Sequence, residues 1–412
     1  MVTMDNYAFN IVKKLSFNRV AGTAEEKKAA SIIQEEIEKL GGQSELLPFD
    51  MDYYKCNHCS AKALEKDLDV VCFGRSGNIN RDLKFLYLDA VNDITTRHYK
   101  DLSDTCVLLN SFNKKVYQKL LALHAGAFMV ISGKWYYGND EEDLVPRKLR
   151  GNLEALGRIP GFVIRAKDAL YLLQNDCETI HLEMDTEDLT LTSQDVLSVI
   201  EGTEYPEESI MILGHYDSVP VGTGAWDNAT GSATLLDMYR HFLKNPPKRT
   251  LRFVWCGAEE QGLLGSKKYV EVNEELLPQI KFVFNFDMNG AVFGPNLSFV
   301  TGNKDLENYY DALCKEYGYY TEVRVGVQSS DSAYFAKHGI PALGIGRGNR
   351  QIASFHTRYD VIDLLSPREM QKNLDFSRFC IERVANSAVM PIPTGFGEEM
   401  QKKVDEIFFY KE

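Results

Sequence analysis

The sequence predicts an α/β protein with a mostly parallel central sheet, helices on both faces of that sheet, and a β-rich inserted domain. After residue 196, apolar segments of strand length alternate with helical segments, which is typical of a sheet covered by helices on both faces. Between residues 50 and 190 the apolar segments are short and are separated by polar turns, which indicates a β-rich insertion.

The length of the chain, 412 residues, exceeds the ~250 to 300 residues at which a single core stops growing, so we expect more than one domain. We predict a discontinuous catalytic domain at 1–49 and 191–394, an inserted domain at 50–190, and a helical C-terminal tail at 395–412. Apolar residues recur at helical spacing in the tail, and docking on its own domain is the simplest expectation for it.

The first long helix is predicted from Thr23 to Leu40. Thr23 and Glu26 have the spacing of a capping box, apolar residues recur on one face, and Gly41 ends the segment. Further along, strands are predicted at 210–213, 251–256, 282–286 and 340–345. Because ligands of open α/β sheets gather at the carboxyl ends of the strands, we expect the chemistry of this protein at that edge.

Composition excludes several classes of function. The formal net charge of −13 and the absence of a basic run argue against nucleic acid as a partner. No segment approaches the ~18 uninterrupted apolar residues of a membrane span, so we expect no membrane association. The first ten residues lack the features of a secretory signal and the eight cysteines form no disulfide framework, so we expect a cytoplasmic protein. The oligomeric state is left open.

Polar residues follow the first two strands of the second half. His215 and Asp217 form an H-x-D arrangement, in which the carboxylate can orient a metal-binding imidazole. Asp227 precedes a helix, where it is either a ligand or a helix cap. The adjacent acids Glu259 and Glu260 follow the next strand. Adjacent carboxylates repel each other, so this pair is more plausible beside a cation than in a solvated loop.

The last two strands also end in chemically active residues. Asp287 follows the strand at 282–286 among apolar neighbours and needs a positively charged partner. His356 follows the final strand, and Asp360 lies four residues beyond it. Together these acids and histidines suggest a metal centre assembled from several strand ends.

These segments, in this order, resemble the two-zinc aminopeptidase family of metallopeptidases, which also includes glutamate carboxypeptidases, the transferrin receptor and glutaminyl cyclases. The resemblance covers the N-terminal helix and residues 196–388. The insertion resembles, more loosely, a protease-associated domain. The motifs that carry the family resemblance are H-Y-D-S, G-A-W-D-N-A-T-G, G-A-E-E-Q-G-L-L-G-S, N-F-D-M-N-G and F-H-T-R-Y-D.

The resemblance implies a zinc exopeptidase fold and a role for each motif residue. Asp227 would bridge two Zn²⁺ ions, Glu260 and His356 would complete one site, and His215 and Asp287 would complete the other. By the same analogy the Asp227–Asn228 peptide bond would be cis. Two Zn²⁺, three carboxylates and a bridging hydroxide sum to zero charge, as a dry cleft requires. Co²⁺ or Mn²⁺ are possible substitutes for zinc.

Three further acids receive roles around this centre. Glu259 would be the general base that takes a proton from the metal-bound water, so that an N-terminal peptide bond of a peptide substrate is hydrolysed. Asp217 lies where it can fix His215. Asp360 lies where it can either fix His356 or cap the following turn.

Two departures from the family pattern affect the substrate site. Phe355 stands where many of these peptidases have a tyrosine that polarises the substrate carbonyl, and Ser332 stands where a histidine often follows the S-D pair. The preferred N-terminal residue and the oxyanion-stabilising residue are therefore left open.

Two rival functions remain. A carboxypeptidase of the glutamate carboxypeptidase type is possible because Arg347 and Arg350 precede His356 closely enough to hold a substrate carboxylate. A non-catalytic receptor or scaffold on the same fold is the second rival. The retention of every ligand position in the motifs favours an enzyme over a scaffold.

Overall fold

The structure, a computed structural model, describes residues 6–136, 143–349, 355–393 and 395–411. The chain divides into two compact units. The first contains the residues up to Asp50 together with Thr192–Phe408, and the second contains Met51–Leu191. The second unit covers nearly the same residues as the predicted insertion at 50–190.

Strands and helices are numbered separately in chain order. The strands are β1 Glu45–Ala63, β2 Lys66–Leu68, β3 Val70–Gly74, β4 Ile79–Leu88, β5 Thr105–Leu109, β6 Ala127–Ser132, β7 Arg147–Lys148, β8 Gly161–Arg165, β9 Thr179–Ile200, β10 Tyr205–His215, β11 Arg249–Cys256, β12 Ile280–Phe286, β13 Asn296–Thr301, β14 Glu322–Val325 and β15 Ala342–Arg347. The helices are α1 Tyr7–Leu15, α2 Ala24–Lys39, α3 Asp93–Thr96, α4 Lys114–Ala122, α5 Gly151–Glu154, α6 Ala166–Gln174, α7 Thr230–Lys244, α8 Leu264–Val272, α9 Lys304–Tyr317, α10 Ser332–Lys337, α11 Pro367–Ala385 and α12 Glu398–Lys411. Among the described residues, no helix is both long enough and apolar enough to cross a lipid bilayer.

The sheet of the first unit has the strand order β14-β13-β15-β12-β10-β11-β9. Four neighbouring pairs are parallel, namely β14 with β13, β15 with β12, β12 with β10, and β10 with β11. The pairs β13 with β15 and β11 with β9 are antiparallel. The predicted α/β class with a mostly parallel sheet is therefore confirmed.

Alternate residues of the central strands face two different cores, as the two-residue repeat of a strand requires. Ile210 and Ile212 of β10 belong to the core that includes residues of α1, α2, α7, α9 and α11. Met211 and Leu213 of the same strand belong to the core formed with α8, α10 and α12. Helices thus cover both faces of this sheet, and the C-terminal helix α12 packs on the first unit itself.

The second unit has the strand order β9-β4-β5-β6-β8-β3-β7. Three neighbouring pairs are parallel, namely β4 with β5, β5 with β6, and β6 with β8. Cys106 and Leu108 of β5 pack in the core that includes α6, whereas Val107 and Leu109 pack in the core that includes α4. The insertion is therefore a small α/β unit, so the β-rich description is incomplete. The sequence predicts one helix in the insertion, from Lys114 to His124, and α4 confirms it, whereas α3, α5 and α6 are not predicted.

The start of α2 departs from the predicted capping box. The hydroxyl of Thr23 accepts the N–H of Glu26 at 3.2 Å, as expected, but the carboxyl group of Glu26 accepts the N–H of Gly22 at 2.7 Å. Glu26 is fully buried, and its other carboxyl oxygen accepts a hydrogen bond from the hydroxyl of Ser193 at 2.5 Å. Burial, only partly offset by the Ser193 hydrogen bond, raises the pKa of Glu26 to about 8.

This raised pKa makes the stability of the protein depend on pH. The folded chain keeps a proton on Glu26 that the unfolded chain releases above its ordinary pKa of 4.5. The stabilisation is therefore complete below pH 4.5 and is lost as the pH rises through about 8. We expect Glu26→Gln to remove this dependence. Between pH 4.5 and about 8, the free energy of unfolding of the wild type should fall relative to that of Glu26→Gln by up to ~1.4 kcal/mol per pH unit.

The measurement is urea unfolding of both proteins at several pH values between 5 and 8. Glu25→Gln is the matched control because Glu25 is the exposed neighbour on the same helix. If the wild type and Glu26→Gln change in parallel with pH, Glu26 is not protonated in the folded protein.

Candidate metal centre

The candidate residues are brought together by the ends of three parallel strands. His215 is the last residue of β10 and pairs with Cys256, the last residue of β11. Glu259 and Glu260 follow β11 in the next loop, and Asp287 directly follows β12. The register of the sheet therefore fixes these side chains at one edge, as the sequence predicts.

Asp227 occupies the centre of the site. It lies in the segment Ala225–Ala229 that leads into α7, where the main chain of Asp227 and Asn228 is not helical, and its peptide bond to Asn228 is cis, as predicted. The Oδ1 atom of Asp227 lies 3.1 Å from Nε2 of His215, and its Oδ2 atom lies 3.1 Å from Nε2 of His356. One carboxylate thus faces two imidazoles on opposite sides.

The five predicted ligands form two groups that share Asp227. Asp287 Oδ1 lies 3.7 Å from Nε2 of His215, and Glu260 Oε2 lies 3.0 Å from Nε2 of His356. Within each group the potential ligand atoms lie within 4.8 Å of one another. The two groups are His215, Asp227 and Asp287 on one side, and Asp227, Glu260 and His356 on the other.

The chemistry of these groups fits a pair of zinc ions. Imidazole nitrogens with carboxylate oxygens are ligands that Zn²⁺ takes, whereas Ca²⁺ and Mg²⁺ prefer oxygen alone. Oε1 of Glu260 and Oδ1 of Asp287 are buried and have no hydrogen-bond partner among the described residues. Buried carboxylate oxygens are costly unless they are hydrogen-bonded, paired with a charge or bound to a cation, so these atoms fit a cation site.

The electrostatics of the site also favour bound positive charge. Burial opposes a charged imidazole, but the surrounding carboxylates outweigh it and raise the pKa of His356 to about 11. The pKa of His215 is likewise raised well above its usual range, by Glu259 and by contacts with Asp217, Asp227 and Asp287, although burial acts against this. Burial disfavours the charged form of Asp227 too, yet its contacts with both histidines lower its pKa.

Glu259 and Glu260 differ in their surroundings although they are adjacent. Burial, followed by the charge of Asp227, raises the pKa of Glu260 to about 7, against the contact with His356. Burial also raises the pKa of Glu259 well above its usual range, and the nearby charge of Glu260 adds to the effect. Glu260 contacts His356, whereas Glu259 belongs to neither ligand group. A carboxyl group held near the ligands without joining them is suited to proton transfer.

Asp217 links two loops of the site. Its Oδ1 atom lies 3.3 Å from Nδ1 of His215 and accepts the N–H of Glu259 at 3.0 Å. Its Oδ2 atom accepts the N–H of Glu260 at 3.2 Å. Asp217 thus lies next to His215, where the sequence analysis expects it, and also holds the main chain of both glutamates.

Asp360 has a different neighbour from the ones considered in the sequence analysis. Its two oxygens accept the N–H groups of Trp226 at 2.7 Å and Asp227 at 3.0 Å. It therefore holds the main chain of the bridging aspartate, and neither His356 nor the turn that follows is its partner in these hydrogen bonds. Burial raises the pKa of Asp360 to about 6, against these two hydrogen bonds. A carboxylate that accepts two main-chain N–H groups is a stronger constraint on a loop than a contact with a side chain.

Residues 195–379 match the sequence model of peptidase family M28, and this segment carries every residue of the two ligand groups. The chain therefore carries a peptidase family M28 domain.

Two curated proteins similar in sequence differ in how much of the chain they cover. Aminopeptidase YwaD of Bacillus subtilis (strain 168) is 26% identical over 98% of this chain and 89% of its own length. Carboxypeptidase Q of Mus musculus is 29% identical, but the match covers 46% of this chain and 42% of that protein. The relatives therefore include peptidases named for opposite ends of the substrate.

Solved structures agree on the fold. The aminopeptidase from Aneurinibacillus sp. strain AM-1 superimposes with a TM-score of 0.78 at 24% identity and covers 95% of this chain and 97% of its own. BSAP, a zinc aminopeptidase from Bacillus subtilis, superimposes with a TM-score of 0.76 at 22% identity and covers 96% and 98%. At these identities the likeness shows the fold.

Several polar residues that hold the loops of the M28 domain have no assigned role in the sequence analysis. Asn228 donates to the carbonyl of Phe286 at 2.9 Å and accepts the N–H of Met288 at 3.2 Å, so it joins the Asp227 loop to the Asp287 loop. The hydroxyl of Ser232 donates to the carbonyl of His215 at 2.9 Å. Their positions beside motif residues were the signal available in the sequence.

Four described non-glycine residues of the M28 domain have φ angles in the left-handed region, and three of them lie close to the candidate ligands. Ala258, Met288 and His356 have φ angles of 52°, 61° and 59°, in the left-handed region that favours glycine. Each such residue costs about 1 to 3 kcal/mol and persists only where the surrounding structure enforces it. Ala258 precedes Glu259, Met288 follows Asp287, and His356 is itself a candidate ligand. The strain therefore coincides with the loops that carry the chemistry.

A cavity of about 350 Å³ opens beside Asp287 in the M28 domain. Its apolar walls include Trp226, Met288, Leu297 and Phe299. The aromatic residue Tyr216, next to His215, is fully buried instead of lining the cavity, and its hydroxyl donates to the carbonyl of Gln194. Charged residues, among them Glu322 and Arg324, also line the cavity, so it combines an apolar wall with a polar one beside a predicted metal ligand.

Arg347 also lines this cavity, but its donors are engaged. Nε donates to the carbonyl of Ala291 at 2.9 Å, Nη1 donates to Oδ1 of Asn296 at 3.1 Å, and Nη2 lies 3.2 Å from Glu369. Arg350, the second arginine of the proposed carboxylate clamp, lies outside the described residues. The engagement of Arg347 weakens the case for a carboxypeptidase.

The role of Asp360 gives a test of the metal centre. Asp360→Asn leaves one acceptor oxygen for two main-chain N–H groups and turns an amide donor towards one of them. We expect the bridging carboxylate of Asp227 to lose its fixed position and zinc affinity to fall by ~10-fold to 100-fold. Competition with a zinc chelator measures this affinity. Asp363→Asn, the same change at an exposed aspartate three residues away, should leave it unchanged. Equal affinities in the two variants would contradict the role of Asp360.

Proposed function

We propose that this chain is a zinc-dependent aminopeptidase that hydrolyses the N-terminal peptide bond of peptides. The observation that carries the proposal is the sharing of Asp227 by two ligand groups, each of which adds one histidine and one further carboxylate. This arrangement accommodates two zinc ions per chain, and it lies in an M28 peptidase domain. The aminopeptidase YwaD, similar over 98% of the chain, supports the choice of activity.

In this proposal His215 and Asp287 would hold one ion, Glu260 and His356 would hold the other, and Asp227 would contribute to both sites. Zinc bound there supplies Lewis acidity for the substrate carbonyl and lowers the pKa of a bound water to near neutrality. Glu259, which belongs to neither ligand group, would accept a proton from the attacking water and return it to the nitrogen of the leaving amine.

The apolar cavity beside Asp287 is the proposed recess for the side chain of the N-terminal residue. Its volume of about 350 Å³ and its walls of Leu297, Phe299 and Met288 suit a large apolar side chain. Burial of such a side chain contributes ~1.5 to 3 kcal/mol to binding, enough to discriminate against a small residue. The resemblance of the insertion to a protease-associated domain and the cytoplasmic location stay predictions.

A carboxypeptidase is the second candidate, because mouse carboxypeptidase Q is 29% identical over part of the chain. Its substrate carboxylate would need a cation with free donors. Arg347 uses all three of its guanidinium nitrogens within the fold, whereas Arg324 of the same cavity packs over the ring of Phe299. We favour recognition of the amino terminus because the similarity to the aminopeptidase YwaD covers 98% of the chain and the similarity to carboxypeptidase Q covers 46%.

The activity is tested with three anilides and one N-acetylated peptide, measured with the zinc-loaded protein. We expect release of nitroaniline from leucine 4-nitroanilide and slower release from the alanine derivative, whose side chain leaves the apolar recess empty. We expect no release from the N-acetylated leucine derivative, because its amino terminus is blocked. Release of C-terminal glutamate from an N-acetylated peptide, without hydrolysis of the anilides, would instead establish the carboxypeptidase.

Changing each of the two adjacent glutamates to glutamine is expected to affect turnover and zinc affinity differently. Glu259→Gln keeps the size of the side chain but cannot accept a proton, so turnover should fall by ~10² to 10⁴ while bound zinc stays unchanged. Glu260→Gln replaces a charged ligand with a poor neutral one, so zinc affinity and activity should fall together.

Zinc content and the rate on one peptide substrate are measured for both variants. Each glutamate is the control for the other, since the two side chains have the same chemistry and neighbouring positions. Loss of zinc from Glu259→Gln with retention in Glu260→Gln would show that the two roles are exchanged. Full activity of both variants would refute the mechanism.

A further inference from the structure

Arg19 lies between α1 and α2, outside the residues 195–379 that match the M28 model, and it is fully buried. Its guanidinium group donates only to main-chain carbonyls in its recorded hydrogen bonds. The acceptors are the carbonyl oxygens of Leu15, Phe17 at 2.7 Å, Tyr216 at 2.7 Å, Thr223 at 2.7 Å and Gly224 at 2.9 Å. A buried cation held by this many carbonyls is an organising centre for the segments that supply them.

Two of these acceptors belong to the loops that carry metal ligands. Tyr216 lies between His215 and Asp217, and Gly224 lies three residues before Asp227. Nε binds the first loop and Nη2 binds the second, so one rigid group spans both. A second connection reinforces the first loop, since the N–H of Arg19 donates to the hydroxyl of Ser218 at 2.9 Å.

The chain leaves room for the guanidinium at the second loop. Gly224 has a φ angle of 55°, and a β-carbon at this position would lie 2.9 Å from Nη2 of Arg19. It would also lie 2.7 Å from the carbonyl oxygen of Asp227. Glycine therefore allows the close approach of Arg19 to the loop that presents the bridging carboxylate.

The charge of Arg19 complements its surroundings. Burial lowers its pKa to about 10, while the negative charges of Asp217, Asp360 and Asp227 act in the opposite direction. The guanidinium therefore remains charged at neutral pH and lies near the acids that organise the metal centre. A lysine has one compact ammonium group and cannot donate to both loops in the fixed geometry of a guanidinium.

We propose that Arg19 is a positioning residue that sets the separation of the His215 and Asp227 loops, and thereby the affinity and geometry of the metal centre. This inference rests on the proposed zinc site. It assigns a functional role to a residue that contacts neither substrate nor metal ligand side chains in its hydrogen bonds, and that lies in the N-terminal segment.

The test uses the full chain with Arg19→Lys and Arg19→Met. The matched controls are Arg249→Lys and Arg249→Met, because Arg249 is also buried in the first unit but lies at the start of β11, at the opposite end of the strand from Glu259. Its guanidinium donates to Glu208 at 2.6 Å and to the carbonyl of Ser387 at 2.5 Å. The readouts are zinc affinity by chelator competition, the visible absorption spectrum of the Co²⁺-loaded protein, and the thermal midpoint of unfolding.

We expect Arg19→Lys to lower zinc affinity by ~10-fold to 100-fold and to change the cobalt spectrum, with a larger effect in Arg19→Met. The Arg249 variants should lose thermal stability while zinc affinity stays within about twofold of the wild type, because distant sites act independently. If Arg19→Met does not fold, Arg19→Lys decides the outcome.

Unchanged zinc affinity and an unchanged cobalt spectrum in a folded Arg19→Lys protein would overturn the proposal and leave Arg19 a purely structural residue. Equal losses of zinc affinity in the Arg19 and Arg249 variants would overturn it as well, because the effect would then follow from destabilisation alone. None of the three readouts requires peptide hydrolysis. A failure of the proposed aminopeptidase activity is therefore distinguishable from a failure of the role of Arg19.

Discussion

The site depends on one carboxylate that must face two partners at once. Oδ1 and Oδ2 of Asp227 each lie 3.1 Å from an imidazole nitrogen, on His215 and His356 respectively. A side chain can hold two such contacts only if its main chain is fixed, because rotation about χ1 would bring one oxygen closer to its partner and move the other away. Asp360 supplies that restraint by accepting the N–H groups of Trp226 and Asp227. The position of the bridging residue is therefore set by hydrogen bonds behind it.

The sheet provides the frame in which these short distances can occur. Strands β10, β11 and β12 are parallel neighbours, and each contributes apolar side chains to the cores on both faces of the sheet. Their cores fix the strand ends, and the candidate ligands His215, Glu260 and Asp287 lie at the last residue of β10 and in the loops beyond β11 and β12. Each acid there would be costly in an apolar interior, and burial, followed by the charge of Asp227, raises the pKa of Glu260. A bound cation lowers this cost, which is why metal binding and the order of the loops are expected to be linked.

The sequence was sufficient for the parts of the structure that repeat or that belong to a dense motif. Apolar periodicity predicted the central strands and α2, and the strand ends predicted which loops would meet. Contacts made to main-chain atoms were not predictable in the same way. The spacing of His356 and Asp360 suggested a contact between them, but the partners of Asp360 are N–H groups of a distant loop. Arg19 lies in no motif, because carbonyl acceptors leave no pattern of side chains in the sequence.

Glu26 shows the same limit in a simpler setting. Its spacing from Thr23 predicted a capping box, and the Thr23 half of that box is present. The carboxyl group instead lies in the core with the hydroxyl of Ser193, a residue of β9 more than a hundred positions away. Long-range burial determined its role, and burial of this kind depends on the packing of α2 against the sheet.

The loops of the site are also mutually dependent, because each is held by a side chain from another. Asp217, in the loop after β10, holds the N–H groups of Glu259 and Glu260 in the loop after β11. Asn228, beside the bridging aspartate, holds Phe286 and Met288 around the end of β12. These are side-chain to main-chain hydrogen bonds, and each fixes the path of the loop that it contacts. A change at one of them should therefore displace ligands that it does not touch, so the metal centre behaves as one cooperative structure.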